Sequence, residues 1–385
     1  MADILLHSSR DRSVRRRHPW VLSGAVARVD GSPEPGDLVR VLSAEGEVLG
    51  HGHYSPHSQI RVRLLEMGKE SEGEALLAAR ITAAVERRRA DSSLEGCDAV
   101  RLVHAEGDGL PGLVADRYGD TVVLRVGTAG MARRRDELAD ALAEATGVAC
   151  VYERGDAAAL RREGEAVQEG PLRGEAPKAP IAITERGRSY RADVVNGQKT
   201  GFYLDQREAR SLVERLAPGR RVLDLFCYSG GFALAAAKAG AKSIVAVDGS
   251  KQALELGESS GADVDWVKAD AFRFLRAAEP GFDLLVIDPP PLARRKNDVK
   301  KASRGYKDLM MHGLRCAAPG AQLLVFACSH HVGPDLFRKI VFGASLDAER
   351  PVRVLGELGA PPDHPVALDH PEGRYLTGLW LEAIG

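Results

Sequence analysis

The chain reads Val222-Leu-Asp-Leu-Phe-Cys-Tyr-Ser-Gly-Gly231 and, a short segment later, Ile244-Val-Ala-Val-Asp-Gly-Ser250. This order is an apolar strand, a glycine turn, a helix and a second apolar strand that ends in an acid. It is typical of a nucleotide-type cofactor site at the carboxyl edge of a parallel sheet. From about residue 190 onward, strand and helix patterns continue to alternate, as they do in α/β proteins. The sequence therefore predicts a Rossmann-like sheet in the C-terminal part of the chain.

The residues around the glycine turn favour S-adenosylmethionine over a dinucleotide. Dinucleotide sites carry Gly-x-Gly-x-x-Gly at this turn, whereas this chain has only Gly230 and Gly231, which let the backbone pass close to a ligand. Asp224, at the entrance of the turn, would repel a pyrophosphate but suits a cationic amino-acid group. Asp248 can accept hydrogen bonds from ribose hydroxyls, and Asp270, after the third strand, can accept one from an adenine amino group. The alternative is a doubly wound domain with incidental carboxylates.

A fourth strand, residues 282–287, ends in Asp288-Pro-Pro. Such an ending fixes a carboxylate and a rigid backbone beside the reactive end of the cofactor. Amine-methylating enzymes often have an aromatic residue after the two prolines, but Pro291 and Leu292 follow here. This difference weakens the hypothesis of amine methylation without excluding it.

Cys328 follows the fifth strand, residues 321–327, and would face the same crevice as the cofactor. A thiolate that adds to carbon 6 of a pyrimidine makes carbon 5 nucleophilic, so Cys328 is a candidate nucleophile. The cationic cofactor and a neighbouring histidine would help to form the thiolate. The alternative is a buried structural cysteine. The pair His330-His331 lacks a third ligand at suitable spacing, so no metal site is expected.

Length and composition indicate a multidomain protein outside the membrane. A chain of 385 residues predicts two or three domains. No apolar run approaches the roughly 20 residues that span a bilayer, and the N-terminus does not resemble a signal peptide. The five cysteines are scattered, without a Cys-x-x-Cys pair, which argues against structural disulfides. We therefore expect a cytoplasmic protein.

The N-terminal half divides into two smaller regions. Residues 3–70 alternate short apolar runs with turn signals, as a small β domain does. Residues 71–188 begin with a helical pattern, followed by strands at 100–103 and 121–126 that a loop or hairpin joins through the glycine-rich residues 106–112. Residues 161–180 are charged and aperiodic, and predict a surface loop or linker. The remaining region, residues 189–385, holds the Rossmann-like pattern.

Several segments together resemble the ribosomal RNA large-subunit methyltransferase I family. The members of this family are cytosine-5 RNA methyltransferases with a PUA domain, a middle EEHEE domain and a Rossmann-like catalytic domain. The resemblance covers nearly the full length and implies these three domains at 3–70, 71–188 and 189–385. It rests on His18-Pro-Trp-Val, His104-Ala-Glu-Gly-Asp-Gly-Leu-Pro-Gly-Leu-Val-Ala-Asp-Arg-Tyr-Gly, Val195-Asn-Gly-Gln-Lys-Thr-Gly-Phe-Tyr-Leu-Asp-Gln-Arg, Gly305-Tyr-Lys-Asp-Leu, Cys328-Ser-His-His, Asp363-His-Pro and Arg374-Tyr-Leu-Thr-Gly.

The resemblance also implies roles for individual residues. Cys328 would be the attacking thiolate, with Asp288 as a second catalytic residue. The S-adenosylmethionine site would be lined by Phe202, Tyr203, Gln206, Asp224, Phe226, Ser229, Gly230, Asp248, Ser250, Asp270, Ala271, Asp288 and Pro289. Two departures from the family pattern stand out. Pro291 replaces the usual residue after Asp-Pro-Pro, and no second cysteine follows Pro290, which leaves the base that removes the carbon-5 proton unidentified.

A PUA domain binds structured RNA, so the resemblance gives the basic segments a role. Phosphate contacts are expected from Arg10, Arg12, Arg15, Arg16, Arg17, Arg294, Arg295 and Lys296. The target base would have to be flipped or unpaired to reach Cys328.

The leading hypothesis is methylation of a cytosine at carbon 5 in large-subunit ribosomal RNA. The same reaction on uracil or on transfer RNA is the nearest alternative. A small-molecule or amine methyltransferase, and an RNA-binding or ribosome-assembly protein without catalysis, also remain open. A homodimer is compatible with the sequence.

Overall fold

The computed structural model describes residues 1–71, 73, 75–293 and 295–384. The chain forms two compact units. Unit 1 comprises Met1–Arg186, Ala192–Phe202 and Pro362–Gly373, and unit 2 comprises Gly187–Arg191, Tyr203–Pro361 and Arg374–Gly385. Among the described residues, no helix is both long and apolar enough to cross a membrane.

Unit 1 begins with a six-stranded sheet of order β2-β6-β5-β4-β1-β3. Its strands are β1 (Asp3–Leu6), β2 (Trp20–Leu22), β3 (Val26–Asp30), β4 (Leu38–Leu42), β5 (Val48–Tyr54) and β6 (Ile60–Met67), with the short helix α1 (Arg12–Arg15) after β1. Alternate residues point inward, so Ile4 and Leu6 of β1 are buried with Val39 and Val41 of β4 in one core. The small β domain that the sequence predicts is thus present.

A second sheet in unit 1 has five strands in the order β11-β10-β9-β8-β7. The strands are β7 (Ala99–His104), β8 (Leu113–Tyr118), β9 (Thr121–Val126), β10 (Cys150–Glu153) and β11 (Gly170–Arg173). The helices are α2 (Ala75–Arg89), α3 (Ala129–Arg133), α4 (Arg135–Thr146) and α5 (Ala157–Glu163). Helices α2 and α4 pack against each other, and their apolar faces share a core with the sheet.

Two features of this sheet differ from the sequence-based prediction. Strand β8 lies between β7 and β9, where the sequence predicted a loop or hairpin but no separate strand. Its polar residue Asp116 interrupts the apolar pattern, although the structure buries it and pairs it with Arg101. The prediction of a surface loop or linker over residues 161–180 is wrong in part. It contains the end of α5 and the short strand β11, which the long-range pairing of Val151 with Arg173 places in the sheet.

Strands β12 (Ile181–Glu185) and β13 (Arg188–Ala192) form a two-stranded sheet of their own. Unit 2 contains a seven-stranded sheet of order β16-β15-β14-β17-β18-β20-β19. Its strands are β14 (Arg221–Leu225), β15 (Ser243–Asp248), β16 (Asp265–Lys268), β17 (Phe282–Ile287), β18 (Ala317–Cys328), β19 (Val352–Leu358) and β20 (Leu376–Ala383). β14 to β18 are mutually parallel, and β20 is antiparallel to both of its neighbours.

Helices cover both faces of this sheet. Leu223 and Leu285 point into one core with residues of the later helices, whereas Val222 and Leu284 point into the other core with residues of the earlier helices. The helices are α6 (Arg207–Leu216), α7 (Gly231–Lys238), α8 (Lys251–Glu258), α9 (Ala271–Ala277), α10 (Val299–Cys316) and α11 (Pro334–Asp347). Burial on both faces explains why these strands read as continuous apolar runs. The predicted Rossmann-like α/β fold is confirmed.

The strand order reverses between β14 and β17. Parallel sheets of this kind leave a crevice outside the carboxyl ends of the strands at such a point. The residues after β14, β15, β17 and β18 therefore lie around one crevice of unit 2.

Candidate active site

The loop between β14 and α7 has a strained backbone. Phe226 and Tyr228 both have a positive φ, +61° and +52°, although neither is glycine. Residues with side chains adopt this left-handed region at a cost, and such residues concentrate at ligand sites. Phe226 also packs edge-on against Phe272, with ring centroids 6.0 Å apart. The strained backbone of this loop therefore fits a ligand site in the crevice.

Gly230 ends this loop with φ +77°. A Cβ atom there would lie 2.3 Å from the indole ring of Trp266, and the same ring would meet a Cβ at Gly257. The sequence explained this glycine by the close approach of a ligand. Internal packing on Trp266 supplies a second reason.

Asp224 is fully buried at the end of β14. Its Oδ2 accepts a hydrogen bond from the Ala233 N–H at 2.9 Å. Burial, reinforced by the carboxylates of Asp288 and Asp248, raises the pKa of Asp224 well above its ordinary range. A positively charged ligand beside these three acids would favour the ionised form of Asp224 that burial disfavours.

Asp248 holds the glycine loop. Its Oδ2 accepts the Tyr228 N–H at 2.9 Å and its Oδ1 accepts the Ser250 N–H at 2.8 Å. Each carboxylate oxygen has a second lone pair, so Asp248 can still accept hydrogen bonds from ribose hydroxyls. The Ser250 side chain instead caps α8, where it accepts the Ala253 N–H at 3.3 Å.

Asp270 caps the next helix, α9. Its Oδ1 accepts the Arg273 N–H at 2.9 Å, and the residue is exposed. Among the described residues, its Oδ2 has no hydrogen-bond partner, and it is available to an adenine amino group. Ala271, also predicted in the cofactor site, follows as a buried residue of α9.

The buried polar atoms without a hydrogen-bond partner among the described residues include three at this crevice, Asp224 Oδ1, Ser229 Oγ and Gln206 Oε1. All three belong to residues that the sequence placed in the cofactor site. Buried polar groups are nearly always hydrogen-bonded, because an unpaired one costs free energy. Their side chains therefore fit a ligand with several polar groups, as S-adenosylmethionine has.

Cys328 and Asp288 meet at the ends of the adjacent strands β18 and β17. The Cys328 Sγ lies 3.6 Å from Asp288 Oδ1, and Gln206 Nε2 donates to Asp288 Oδ2 at 2.9 Å. Cys328 is half-buried, as is Asp288, whereas Pro289 is buried and Pro290 exposed. The thiol thus has a carboxylate beside it and access from the crevice.

Two tyrosines lie near Cys328 and Asp288. Burial, together with the nearby Asp288, raises the pKa of Tyr203, whose ring packs edge-on against that of Tyr228 at 5.3 Å. Burial also raises the pKa of Tyr306 to about 12, and its hydroxyl oxygen accepts the Leu292 N–H at 3.5 Å. Both phenols remain neutral near pH 7 and can donate hydrogen bonds. Sequence reasoning missed Tyr306, although it lies in the segment Gly305-Tyr-Lys-Asp-Leu.

Sequence reasoning also missed Asp205 and Tyr375. The Tyr375 hydroxyl donates to Asp205 Oδ2 at 2.8 Å, and its ring lies 6.2 Å from that of His330. The register Cys328↔Leu376 places Tyr375 next to the end of β18. Within the described part of the chain, no three His, Cys, Asp or Glu side chains cluster as metal ligands.

The predicted RNA-binding residues are distributed over both units. In unit 1, Arg10, Arg12, Arg15, Arg16 and Arg17 are all exposed. Arg15 pairs with Asp11 at 2.6 Å and with Glu47 at 2.8 Å, and Arg17 lies 4.0 Å from Asp369. In unit 2, Arg295 and Lys296 are exposed after the Asp-Pro-Pro segment. Arg294 lies outside the described residues. Phe202, predicted in the cofactor site, is a buried residue of unit 1.

Two family models match the chain. Residues 4–66 match a PUA-like domain, and residues 142–370 match the S-adenosylmethionine-dependent methyltransferase family. A protein from Shewanella denitrificans named ribosomal RNA large subunit methyltransferase I is 42% identical over 98% of this chain and 98% of its own length. A protein of the same name from Erwinia tasmaniensis is 38% identical over 99% of both chains.

Solved structures share the fold over the whole chain. A putative S-adenosylmethionine-dependent methyltransferase from Streptococcus mutans aligns with a TM-score of 0.83 at 23% identity, over 99% of this chain and 100% of its own. A putative methyltransferase complexed with SAH aligns over the same shares with a TM-score of 0.84, also at 23% identity. At 23% identity, this similarity shows a shared fold alone.

Proposed function

This chain belongs to the ribosomal RNA large subunit methyltransferase I family, and we propose that it methylates carbon 5 of a cytosine through an adduct with Cys328. It is an S-adenosylmethionine-dependent methyltransferase of large-subunit ribosomal RNA. The observation that supports the proposed carbon-5 chemistry is the position of Cys328 Sγ, 3.6 Å from Asp288 Oδ1 at the carboxyl edge of the sheet. An rRNA substrate also supports a cytoplasmic location.

The cofactor would be held by the three unpartnered groups and the strand-end acids. Asp224 would accept from an ammonium group, Asp248 from ribose hydroxyls and Asp270 from an adenine amino group. S-adenosylmethionine, when bound, supplies a methyl group on a positively charged sulfur. The carboxyl groups of Asp224, Asp248 and Asp288 suit that cation, and a cationic group beside Asp224 would favour the ionised form that burial disfavours.

Asp288 is the proton acceptor in the proposed reaction. The Cys328 thiol gives its proton to Asp288, and its sulfur forms a bond to carbon 6 of the cytosine, which makes carbon 5 nucleophilic. After carbon 5 has gained a methyl group, a base removes the carbon-5 proton. The electrons of that C–H bond restore the double bond, the sulfur–carbon bond breaks, and Cys328 recovers its proton from Asp288.

Asp288 also favours cytosine over uracil. A carboxylate can accept a hydrogen bond from the exocyclic amino group of cytosine, which uracil lacks. Gln206 Nε2 and Cys328 Sγ each contact one oxygen of Asp288, and a carboxylate oxygen can accept more than one hydrogen bond. Asp288 can therefore serve both the thiol and the base.

The test is the identity of the methylated nucleoside. The full chain is incubated with unmodified large-subunit ribosomal RNA and cofactor with a labelled methyl group, and the RNA is digested to nucleosides for mass spectrometry. We expect labelled 5-methylcytidine. Labelled 5-methyluridine would overturn the base assignment, and a label on a nitrogen or a ribose would overturn the carbon-5 chemistry.

A further inference from the structure

Strands β17 and β18 each lead into a segment of unit 2 that contains one member of the proposed catalytic pair. Asp288 opens residues 288–293, which follow β17 and read Asp-Pro-Pro-Pro-Leu-Ala. Cys328 is the last residue of β18 and is followed directly by Ser329. The pairing of the two strands ends at Ile287 and Val325. Contacts beyond the sheet must therefore hold the two segments together.

Ser329 joins these two segments through a buried hydrogen bond. Its hydroxyl donates to the carbonyl oxygen of Ala293 at 2.7 Å, and the same oxygen accepts the His331 N–H at 3.3 Å. Ser329 is 5% exposed and Ala293 is 3% exposed. A hydroxyl can donate one hydrogen bond and accept others, so both contacts are made at once. The residue next to the thiol thus binds the segment that begins with Asp288.

A turn between β18 and α11 fixes the direction of the Ser329 side chain. The Val332 N–H donates to the Ser329 carbonyl oxygen at 3.0 Å, while the His331 N–H donates to the Ser329 hydroxyl oxygen. Val332 is fully buried, in the same apolar core as Ala293. Because the backbone and the side chain of Ser329 are both held in this turn, its hydroxyl is already directed toward Ala293.

Tyr306 of α10 holds residues 288–293 at the preceding residue. Its hydroxyl oxygen accepts the Leu292 N–H in a longer hydrogen bond of 3.5 Å. Tyr306 is fully buried, and its ring packs edge-on against that of Phe337 in α11, with centroids 6.0 Å apart. A Cβ atom at Gly305 would lie 3.2 Å from Leu292, so α10 and this segment are in close contact. The segment is thus held from two sides, by α10 and by the turn after β18.

We propose that Ser329 and Tyr306 are positioning residues, which fix residues 288–293 and so keep the Asp288 carboxylate at the Cys328 thiol. This inference rests on the proposed function, because it assumes that Asp288 and Cys328 react. If the hydrogen bond of Ser329 is lost, the carboxylate lies farther from the thiol on average. Its negative charge then acts less on the thiol, which ionises at lower pH. Methyl transfer becomes slower, because the proton acceptor is displaced.

The experiment compares Ser329→Ala with Ser345→Ala, which removes a matched hydrogen bond. Ser345 is 7% exposed, and its hydroxyl donates to the Phe342 carbonyl oxygen at 2.8 Å within α11. The Ser329→Ala change is also made in Asp288→Asn protein. For each protein, the pH profile of Cys328 alkylation by iodoacetamide is followed by peptide mass spectrometry in the absence of cofactor and RNA. The values of kcat and KM are measured with both substrates, and the folded fraction is measured by circular dichroism.

We expect Ser329→Ala to lower kcat roughly 3- to 10-fold, the range that one hydrogen bond contributes. Its alkylation midpoint should move to lower pH by roughly 0.5 to 1 unit, the shift for a carboxylate that retreats by about 1 Å at an effective dielectric constant of about 20. Ser345→Ala should follow the wild type. In Asp288→Asn protein, Ser329→Ala should cause no further shift, because the charge through which Ser329 acts is absent.

The inference is overturned if folded Ser329→Ala protein keeps the wild-type alkylation midpoint, or if Ser345→Ala shifts the midpoint equally. It is also overturned if Ser329→Ala shifts the midpoint as much in Asp288→Asn protein as in the wild type. Should Ser329→Ala not fold, Tyr306→Phe, which keeps the ring and removes only the hydroxyl, decides the result by the same criteria. A wild-type product other than 5-methylcytidine would overturn the proposed function instead. The alkylation profiles, measured without substrates, would still report whether Ser329 holds Asp288 at the thiol.

Discussion

Cys328 and Asp288 lie 40 residues apart in the sequence, yet the Cys328 Sγ is 3.6 Å from Asp288 Oδ1. Both follow strands of one parallel sheet, β18 and β17, which pair directly through Ile287 and Val325. A carboxylate that can take its proton thus lies beside the thiol. The sequence suggested help from the cationic cofactor and a neighbouring histidine, and the structure adds the carboxylate of Asp288 at the thiol.

The first prediction concerns Asp288→Asn. The negative charge of Asp288 favours the protonated form of the Cys328 thiol, and this variant removes that charge. We expect Cys328 alkylation to shift to lower pH, while methyl transfer falls by roughly 100-fold or more, as expected when a proton acceptor is lost. If the thiol reacts with iodoacetamide at lower pH while the enzyme is nearly inactive, the activity is lost because the proton acceptor is missing and not because the thiol is less accessible. An unchanged alkylation profile would show that Asp288 does not act on the thiol.

The second prediction concerns Asp224→Asn. Burial of the ionised carboxylate is unfavourable, so the amide should raise the melting temperature of the cofactor-free protein at pH 7.5. It should also weaken S-adenosylmethionine binding by roughly 10- to 100-fold, because a hydrogen bond from a cationic group is lost. Calorimetry and thermal unfolding measure the two effects.

Asp283→Asn is the matched control for Asp224→Asn. Asp283 also accepts a backbone N–H, that of Arg221 at 2.8 Å, but near the other end of the sheet. Its amide variant should bind the cofactor as the wild type does. If Asp224→Asn binds the cofactor normally too, Asp224 is not part of the site.

The strand ends of unit 2 could be predicted because they depend on local patterns. Continuous apolar runs located β14, β15, β17 and β18, and the parallel order of these strands then placed Asp288 and Cys328 at the same edge of the sheet. The buried hydrogen bond that Asp116 accepts from the Thr200 hydroxyl could not be predicted in this way. The two residues are separated by 84 positions, and nothing in either local pattern indicates that they meet.

Similar reasons explain the other differences. Strand β11 is too short for a period of two to be visible, and its pairing with β10 is set by tertiary structure. The Cβ clash at Gly230 depends on Trp266, which follows in a later strand. Within residues 362–373, Asp363 accepts the Arg101 N–H at 3.1 Å, a contact across 262 positions. Long-range packing of this kind leaves no signal in a single sequence.

The third prediction concerns acid stability through His53. Burial, with Arg134 and Arg63 nearby, lowers the pKa of His53 to about 3 from its ordinary value of 6.5. Between these values the unfolded chain binds a proton that the folded chain does not. Stability therefore falls as pH decreases from 6.5 toward 3, by up to about 1.4 kcal/mol per pH unit for this group.

His53→Leu should reduce the loss of unfolding free energy between pH 7 and pH 5, measured by urea denaturation. The exposed His7→Leu variant serves as the control and should keep the wild-type difference. Equal pH dependence in the wild type and His53→Leu would show that His53 is protonated in the folded state.

The fourth prediction concerns RNA affinity. Arg295 and Lys296 are exposed directly after the Asp-Pro-Pro segment, and we propose that they contact phosphates. The double alanine variant should reduce the slope of log affinity against log salt by about 1.5, with cofactor affinity unchanged. The exposed dipeptide Arg338-Lys339 on α11 provides a matched double variant, which should keep the wild-type slope.

The fifth prediction tests the thiolate adduct directly, with large-subunit ribosomal RNA transcribed with 5-fluorocytidine. A base cannot remove fluorine as it removes the carbon-5 proton, so the adduct should persist. In the presence of S-adenosylmethionine we expect a complex stable to denaturant, with the modified nucleotide on the peptide that contains Cys328. Cys97→Ala, which alters another half-buried cysteine, should form the complex, and Cys328→Ala should not. The account is contradicted if Cys328→Ala binds the cofactor and methylates the normal RNA at the wild-type rate.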